Sequence, residues 1–219
     1  MTGTLHFAEH TLQEVALTFM ATVYCIRIWW MLRFKAGKER QAPTGRRGEA
    51  PPASIAYSLA NIALPWVMES TRQKWFFYLQ FVVFHLGATA AITLSFVIPY
   101  GPGLLKSSAL VFLLQLLLAS AFVIGIIRIF RRFSNKYMRA ISTPDDYFSL
   151  ILLTVFFFFA FFAVPNDISN GEGLMMTYFC LTAFFLIYVP FSKISHYIYY
   201  PFTRYYLGKT MGRRGVFLP

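Results

Sequence analysis

The chain has 219 residues, of which 57% are apolar and 13% charged, and its formal net charge is +11 at pH 7. This composition excludes an ordinary soluble domain of the same size, because one core cannot bury so many apolar residues. It also argues against nucleic acid as a partner, since the basic residues stand in short blocks between apolar runs. We therefore expect an all-α integral membrane protein whose surroundings are the lipid bilayer.

Five apolar segments are each long enough to cross about 30 Å of hydrocarbon as a helix, which takes about 20 residues. Pro190 falls inside the last and longest of them and predicts a kink or an extension into the interface. Residues 55–69 are apolar but short and broken by Pro65, which favours an interfacial helix. We expect residues 1–219 to form a single domain, a five-helix bundle with spans at residues 12–34, 75–98, 108–130, 147–165 and 174–200.

The fourth predicted span has a clear start signal in its sequence, "STPDDYF". Thr143 is a suitable N-cap, and Pro144 is suited to the first helical turn. Asp145 and Asp146 would lie near the positive end of the helix dipole. These features predict that a helix begins at this motif.

The distribution of charge predicts the orientation of the bundle. Residues 35–47 carry five Lys or Arg, residues 128–139 carry five more, and residues 204–214 carry four, all on alternate connections. The other face has Lys106 as its single basic residue. By the positive-inside rule the N-terminus is expected outside and the C-terminus in the cytoplasm.

Two of the four histidines, His85 and His196, fall inside the second and fifth predicted spans. An ionisable side chain in a span is costly, so each is by default a functional candidate. A neutral imidazole is a usual axial ligand of haem iron, and two on opposite helices would hold one low-spin b-type haem. A histidine that only bonds a neighbouring helix is the alternative. Gly87 likewise suits either a flat macrocycle or ordinary helix packing.

The other candidate ligands give weaker signals. His6 and His10 are one helical turn apart, a spacing that suits a metal ion or an ordinary interfacial pair. Cys25 and Cys180 lie inside apolar runs, so a disulfide framework is not expected. The chain has no CxxCH sequence, which excludes a c-type haem attached within it.

Arginines near the predicted cytoplasmic ends are candidate partners for the carboxylates of a cofactor. Arg128, Arg131 and Arg132 end the third span. Arg27 and Arg33 end the first, and Arg27 is the deeper of the two. Arginine pairs well with carboxylates in a bidentate geometry. Each of these side chains could instead reach lipid headgroups as a positive-inside residue.

Three motifs resemble a known family: "FHLG" around His85, "RAISTPDDYFSL" at the fourth span, and "PFSKISH" ending at His196. With the order of the spans, they resemble the gamma subunit of respiratory nitrate reductase and its relatives, five-span membrane cytochromes b that exchange electrons with quinone. The likeness covers nearly all of residues 11–206. "STPDDY" and "YPFTRYYLGKTMGRRG" are more similar to the branch that is paired with heterodisulfide-reductase-like iron–sulfur subunits.

The resemblance implies a function, cofactors and partners. It implies a cytochrome b subunit in the prokaryotic cytoplasmic (inner) membrane, which transfers electrons between the quinone pool and a cytoplasmic iron–sulfur subunit. The family holds two haems, but Ser95 and Tyr178 stand here where its outer haem has histidines. One haem b between His85 and His196 is therefore expected. Lys106 corresponds by position to a family lysine near the quinone pocket.

Two other classes of protein remain as alternatives. The first is a haem-free membrane anchor or assembly subunit, in which the histidines only bond neighbouring helices. The second is a small-molecule transporter, which the lack of inverted repeats or paired broken helices disfavours. The sequence contains no iron–sulfur cysteine set and no nucleotide loop, so the chain is not expected to be catalytic alone.

Overall fold

The structure is a computed structural model that describes residues 2–34, 52–64, 66, 69–169 and 171–214. The basic block at residues 35–47, Pro65 and the end of the tail, residues 215–219, lie outside the described residues. Within the described ranges every regular element is helical. The α-helices are α1 Gly3–Glu9, α2 Thr11–Arg33, α3 Pro52–Ala60, α4 Glu69–Gln73, α5 Trp75–Tyr100, α6 Ser108–Ser134, α7 Lys136–Ala140, α8 Pro144–Ala163, α9 Gly173–Tyr188 and α10 His196–Arg213.

Five helical stretches are long and apolar enough to cross a membrane, which confirms the expected all-helical architecture at that level. Insertion and orientation stay predictions. The five stretches are Gly3–Arg33, Trp75–Tyr100, Ser108–Ser134, Pro144–Ala163 and Gly173–Phe191.

The start signal of the fourth span is confirmed by α8. The carboxylate of Asp146 accepts hydrogen bonds at 2.8 Å from both the backbone N–H and the hydroxyl of Thr143. Pro144 occupies the first turn, where its missing N–H costs nothing. These contacts explain why the helix begins three residues before the predicted position.

The fifth predicted helix, over residues 174–200, is interrupted in the structure. Helix α9 ends at Tyr188, and α10 begins at His196. Between them lie two short 3-10 turns, Val189–Phe191 and Lys193–Ser195. Pro190 cannot donate a backbone hydrogen bond, so the regular helix cannot run through it unchanged. His196 is therefore the first residue of a new helix.

The chain divides into two compact units, Met1–Arg27 with Leu79–Ile194 and Ile28–Tyr78 with Ser195–Pro219. In the first unit α6 packs along α8, and α8 packs against α9. The approach of α6 to α8 is close, because a Cβ built on Gly125 would lie 2.4 Å from the Thr154 hydroxyl oxygen. The core of this unit is apolar and includes Leu118, Phe157 and Tyr178, each with 0% exposure.

The second unit is built on the packing of α3 against α10. A Cβ built on Gly208 would lie only 2.8 Å from the Cα of Ile55, so the two backbones nearly touch. Hydrogen bonds between Ser58 and Arg204 join the helices near this contact. The Ser58 hydroxyl donates to the Arg204 carbonyl at 2.8 Å, and Arg204 Nε donates to the Ser58 carbonyl at 2.6 Å. Of residues 55–69, where the sequence predicts an interfacial helix, α3 covers residues 55–60 and a 3-10 turn covers Asn61–Ala63. Its location at the membrane interface stays a prediction.

Candidate functional site

His85 lies on α5 in the first unit with its side chain exposed. Its Nδ1 is 2.7 Å from the backbone carbonyl oxygen of Phe81, one turn earlier. Because a carbonyl can only accept, Nδ1 is the donor, and in a neutral imidazole Nε2 then carries the lone pair. Metal-bound histidines are usually held in this way, with one ring N–H on a carbonyl and the other nitrogen on the metal. His85 is therefore suited to bind iron through Nε2.

Arg128 lies close to the helical turn of α5 that carries His85. Its guanidinium carbon is 4.7 Å from the ring centre of Phe84, the residue before His85. Phe84 is buried and packs edge-on against Phe157, with ring centres 5.1 Å apart. The structure thus brings a cation from α6 beside the predicted ligand. Its pairing with a cofactor carboxylate stays a prediction.

The neighbouring arginines of α6 differ in their surroundings. Arg131 is exposed. Arg132 donates to the Ser142 hydroxyl at 2.5 Å, and its Nη1 lies 3.9 Å from the Asp146 carboxylate. Arg132 is therefore engaged with the connection before α8. The pairing of Arg131 with a cofactor carboxylate stays a prediction.

Gly87 serves helix packing. A Cβ at this position would lie 2.2 Å from the Cβ of Ala121 on α6, which is too close for two atoms that are not bonded. The sequence left two interpretations of Gly87, a flat macrocycle or helix packing. The close contact with Ala121 supports helix packing. Gly87 therefore adds no support for a macrocycle beside His85.

The two positions where the resemblance implies outer haem ligands lie in the buried core of the first unit. Tyr178 has 0% exposure and donates a hydrogen bond to the Ala91 carbonyl at 2.7 Å. Its ring stacks on Phe156 at an interplanar angle of 5°, with centres 5.5 Å apart. Ser95 is also buried, and its hydroxyl donates to the Ile92 carbonyl at 2.7 Å. Close-packed side chains therefore fill the space around Ser95 and Tyr178.

His196 belongs to the second unit, where it begins α10 with an exposed side chain. His85 belongs to the first unit, so the pairing of the two imidazoles on one iron stays a prediction. The donor set itself fits a b-type haem, because neutral imidazole nitrogens are its usual axial ligands.

Arg27 contacts the segment that follows α9. Its Nη1 donates a hydrogen bond to the carbonyl oxygen of Pro190. Its guanidinium carbon lies 4.9 Å from the ring centre of Phe191. A cation is favourable at the negative end of a helix, where carbonyls lack intrahelical partners. Arg27 thus stabilises the interruption, and a bond to a cofactor carboxylate stays a prediction.

The motifs "STPDDY" and "PFSK" are far apart in the sequence, but the structure joins them. Lys193 Nζ lies 2.7 Å from the Asp146 carboxylate and 2.8 Å from the Thr143 hydroxyl. The backbone N–H of Lys193 donates to Asp145 at 3.0 Å. Two aspartates at a helix start and a lysine three residues after Pro190 were the sequence signals of this contact.

The remaining candidates lie near the C-terminal end of α5, since Lys106 follows it and His10 packs edge-on against Tyr100 with ring centres 5.5 Å apart. Lys106 is exposed in the 3-10 turn between α5 and α6. At about 1.5 Å per residue, His85 is about 22 Å before the end of α5 at Tyr100, so Lys106 does not share its site. His6 and His10 stack with ring centres 4.6 Å apart. Among the described residues, no group of three or more His, Cys, Asp or Glu side chains could hold a metal ion.

Comparisons with protein-family models, curated proteins and solved structures find no match to this chain. The family resemblance therefore rests on the three motifs and the order of the spans. Function has to be argued from the chemistry of the site.

Proposed function

We propose that this chain is a membrane cytochrome b subunit that transfers electrons between the quinone pool and a cytoplasmic iron–sulfur partner. The observation that carries the proposal is the hydrogen bond from His85 Nδ1 to the Phe81 carbonyl. It selects the tautomer in which Nε2 can bind a metal. An exposed imidazole with this tautomer, on a helix apolar enough to span a membrane, supports a role as a cofactor ligand.

His85 and His196 are the proposed axial ligands of a single haem b. When bound, this group supplies a reversible one-electron change at its iron. The Phe81 carbonyl holds the His85 ring in place and increases the basicity of Nε2. Arg128 and Arg131 would offer cations to the haem carboxylates from α6. The buried packing around Tyr178 supports one haem in place of two.

The charge of the described residues supports an orientation with the N-terminus outside. The connection before α9 carries Asp167 and Glu172, and the turn before α6 carries Lys106. By the positive-inside rule, the basic end of α6 would face the cytoplasm of a prokaryotic cell and meet the iron–sulfur subunit there. The basic residues at that end are Arg128, Arg131, Arg132, Lys136 and Arg139.

Quinone is the proposed membrane-phase electron partner. Lys106 is the candidate donor of a hydrogen bond to a quinone carbonyl, since an ammonium group is a strong donor. The basic C-terminal stretch is the candidate contact for the iron–sulfur subunit, because its described part carries Lys209, Arg213 and Arg214.

A haem-free membrane anchor is the second candidate function. One observation favours it: Gly87 is accounted for by its contact with Ala121. In that account the histidines only bond neighbouring helices.

A reduced-minus-oxidised absorbance spectrum of the full chain, expressed with a haem supply, separates the two functions. A cytochrome b gives an α band that is lost in His85→Ala and in His196→Ala. The matched controls His6→Ala and His10→Ala keep the band. A featureless spectrum from the folded, unmodified chain contradicts the cytochrome and supports the anchor.

A further inference from the structure

The interruption between α9 and α10 is held from one side by a carboxylate of α8. Asp145 Oδ2 accepts a hydrogen bond from the backbone N–H of Lys193 at 3.0 Å. Asp145 Oδ1 accepts one from the hydroxyl of Tyr188, the last residue of α9. The Ser149 hydroxyl, one turn further along α8, lies 2.9 Å from the Tyr188 hydroxyl. A single carboxylate thus binds both the end of α9 and the chain that follows it.

The bond to Lys193 replaces a helical bond. In a continuous α-helix the N–H of Lys193 would donate to the carbonyl of Val189, four residues earlier. Here that carbonyl accepts from the backbone N–H and the hydroxyl of Ser192, each at 3.1 Å. Hydrogen bonds to a charged carboxylate are stronger than those between neutral groups. Asp145 therefore stabilises the interrupted backbone, whereas Pro190 alone would be compatible with a kinked but continuous helix.

The interruption is also held from α2. Arg27 donates to the carbonyl of Pro190 and lies over the ring of Phe191. In a continuous helix the N–H of Ile194 would donate to the Pro190 carbonyl. In the structure the N–H of Ile194 donates to the Ser192 hydroxyl at 3.2 Å instead. The break is therefore fixed at its start by Arg27 and at its end by Asp145.

Asp146 provides a natural comparison with Asp145. It contacts the same residue, but through the ammonium group of Lys193, whose side chain is 56% exposed. Exposed ion pairs contribute little to stability, because water screens the charges. Asp146 also caps the start of α8 through Thr143. Asp145 holds the backbone of Lys193, and Asp146 holds its side chain.

We propose that Asp145 is a positioning residue for His196. By holding the Lys193 backbone, it ends the regular helix before His196, so that His196 begins α10 and presents its imidazole to iron from there. The inference rests on the proposed function, since His196 is an iron ligand only in that account. Asp145 itself touches neither cofactor nor substrate.

The test compares Asp145→Asn with Asp146→Asn and Lys193→Met in the full chain. The first readout is amide hydrogen exchange of the peptide that contains Lys193, which needs no haem. Asp145→Asn should speed this exchange by about tenfold, since it removes the negative charge and replaces one of the two acceptor oxygens with an NH2 group that cannot accept. Lys193→Met keeps the backbone N–H and should leave the exchange unchanged. If Asp145→Asn does not accumulate, Tyr188→Phe replaces it as a milder change. This variant should also speed the exchange at Lys193.

The second readout is the low-spin electron paramagnetic resonance signal and the haem retained through purification. Loss of a residue that orients a metal ligand typically weakens binding by about 10-fold or more. Asp145→Asn should therefore shift the g values and lower haem retention, while Asp146→Asn matches the unmodified chain. Unchanged exchange at Lys193 overturns the inference, as does faster exchange with unaltered g values and retention. An unmodified chain without haem contradicts the proposed function instead, and its spectrum is measured before any variant is made.

Discussion

The hydroxyl of Tyr178 on α9 donates a hydrogen bond of 2.7 Å to the backbone carbonyl of Ala91 on α5. Tyr178 is fully buried and stacks on Phe156. The bond joins two helices of the first unit in the layer where the family resemblance implies an outer haem. Tyr178 therefore has a structural role in the core of this unit.

Tyr178→Phe should destabilise the first unit by about 1 kcal/mol, the usual net value of one lost hydrogen bond. Reversible unfolding by increasing amounts of a denaturing detergent in mixed micelles measures the change. Tyr137→Phe is the matched control, because Tyr137 is 71% exposed and its change should leave stability unaltered. Equal effects of the two substitutions would contradict the assigned role of Tyr178.

Histidines placed at both outer positions should not create a second haem site. The double variant Ser95→His with Tyr178→His places histidines at two positions that are at least nine-tenths buried among close-packed neighbours. A macrocycle needs a large flat cavity, which a dry core of this density does not supply. Haem per polypeptide should stay at that of the unmodified chain. A rise from one to two would show that the layer opens readily.

Gly87→Ala should destabilise the contact of α5 with α6 by about 1–3 kcal/mol, since the added methyl overpacks it. The new Cβ would lie 2.2 Å from the Cβ of Ala121. Ala121→Gly in the same chain should restore much of the loss, because it removes the opposing methyl group. Gly103→Ala is the control, with nothing within 4 Å of its Cβ position. Additive effects of Gly87→Ala and Ala121→Gly would refute the contact.

Gly208→Ala should loosen α3 from α10 in the second unit. Its Cβ would meet the Cα of Ile55 at 2.8 Å and the Ser54 carbonyl at 2.9 Å, and backbone atoms cannot move aside as flexible side chains do. Amide exchange of the peptide that covers α3 should therefore become faster. Gly173→Ala, with nothing within 4 Å, should leave that exchange as it is. Slow exchange of α3 in both variants would argue against the packed pair.

The helices that depend on local sequence were predicted well. Long apolar runs predicted the five helices that are long and apolar enough to cross a membrane, because length and hydropathy alone decide this property. The start of α8 followed from Thr143 and Pro144, whose preferences act within one turn. Both signals lie within the element that they predict.

The interruption before His196 could not be predicted, because it depends on contacts between distant parts of the chain. Asp145 binds the backbone of Lys193, 48 positions later, and Arg27 binds the carbonyl of Pro190, 163 positions later. Pro190 alone predicted a kink or an extension of the helix. The role of Gly87 was undecided for the same reason, since its partner Ala121 lies on another helix.

The ratio of haem to polypeptide in the purified full chain tests the central claim most directly. An extracted-haem assay on the unmodified chain and on His85→Ala and His196→Ala gives three ratios that need no partner subunit. The account predicts about one haem b for the unmodified chain and close to none for either variant, since bis-histidine binding needs both imidazoles. Haem-free protein from haem-supplied cells, or a full complement of haem in both variants, would contradict it.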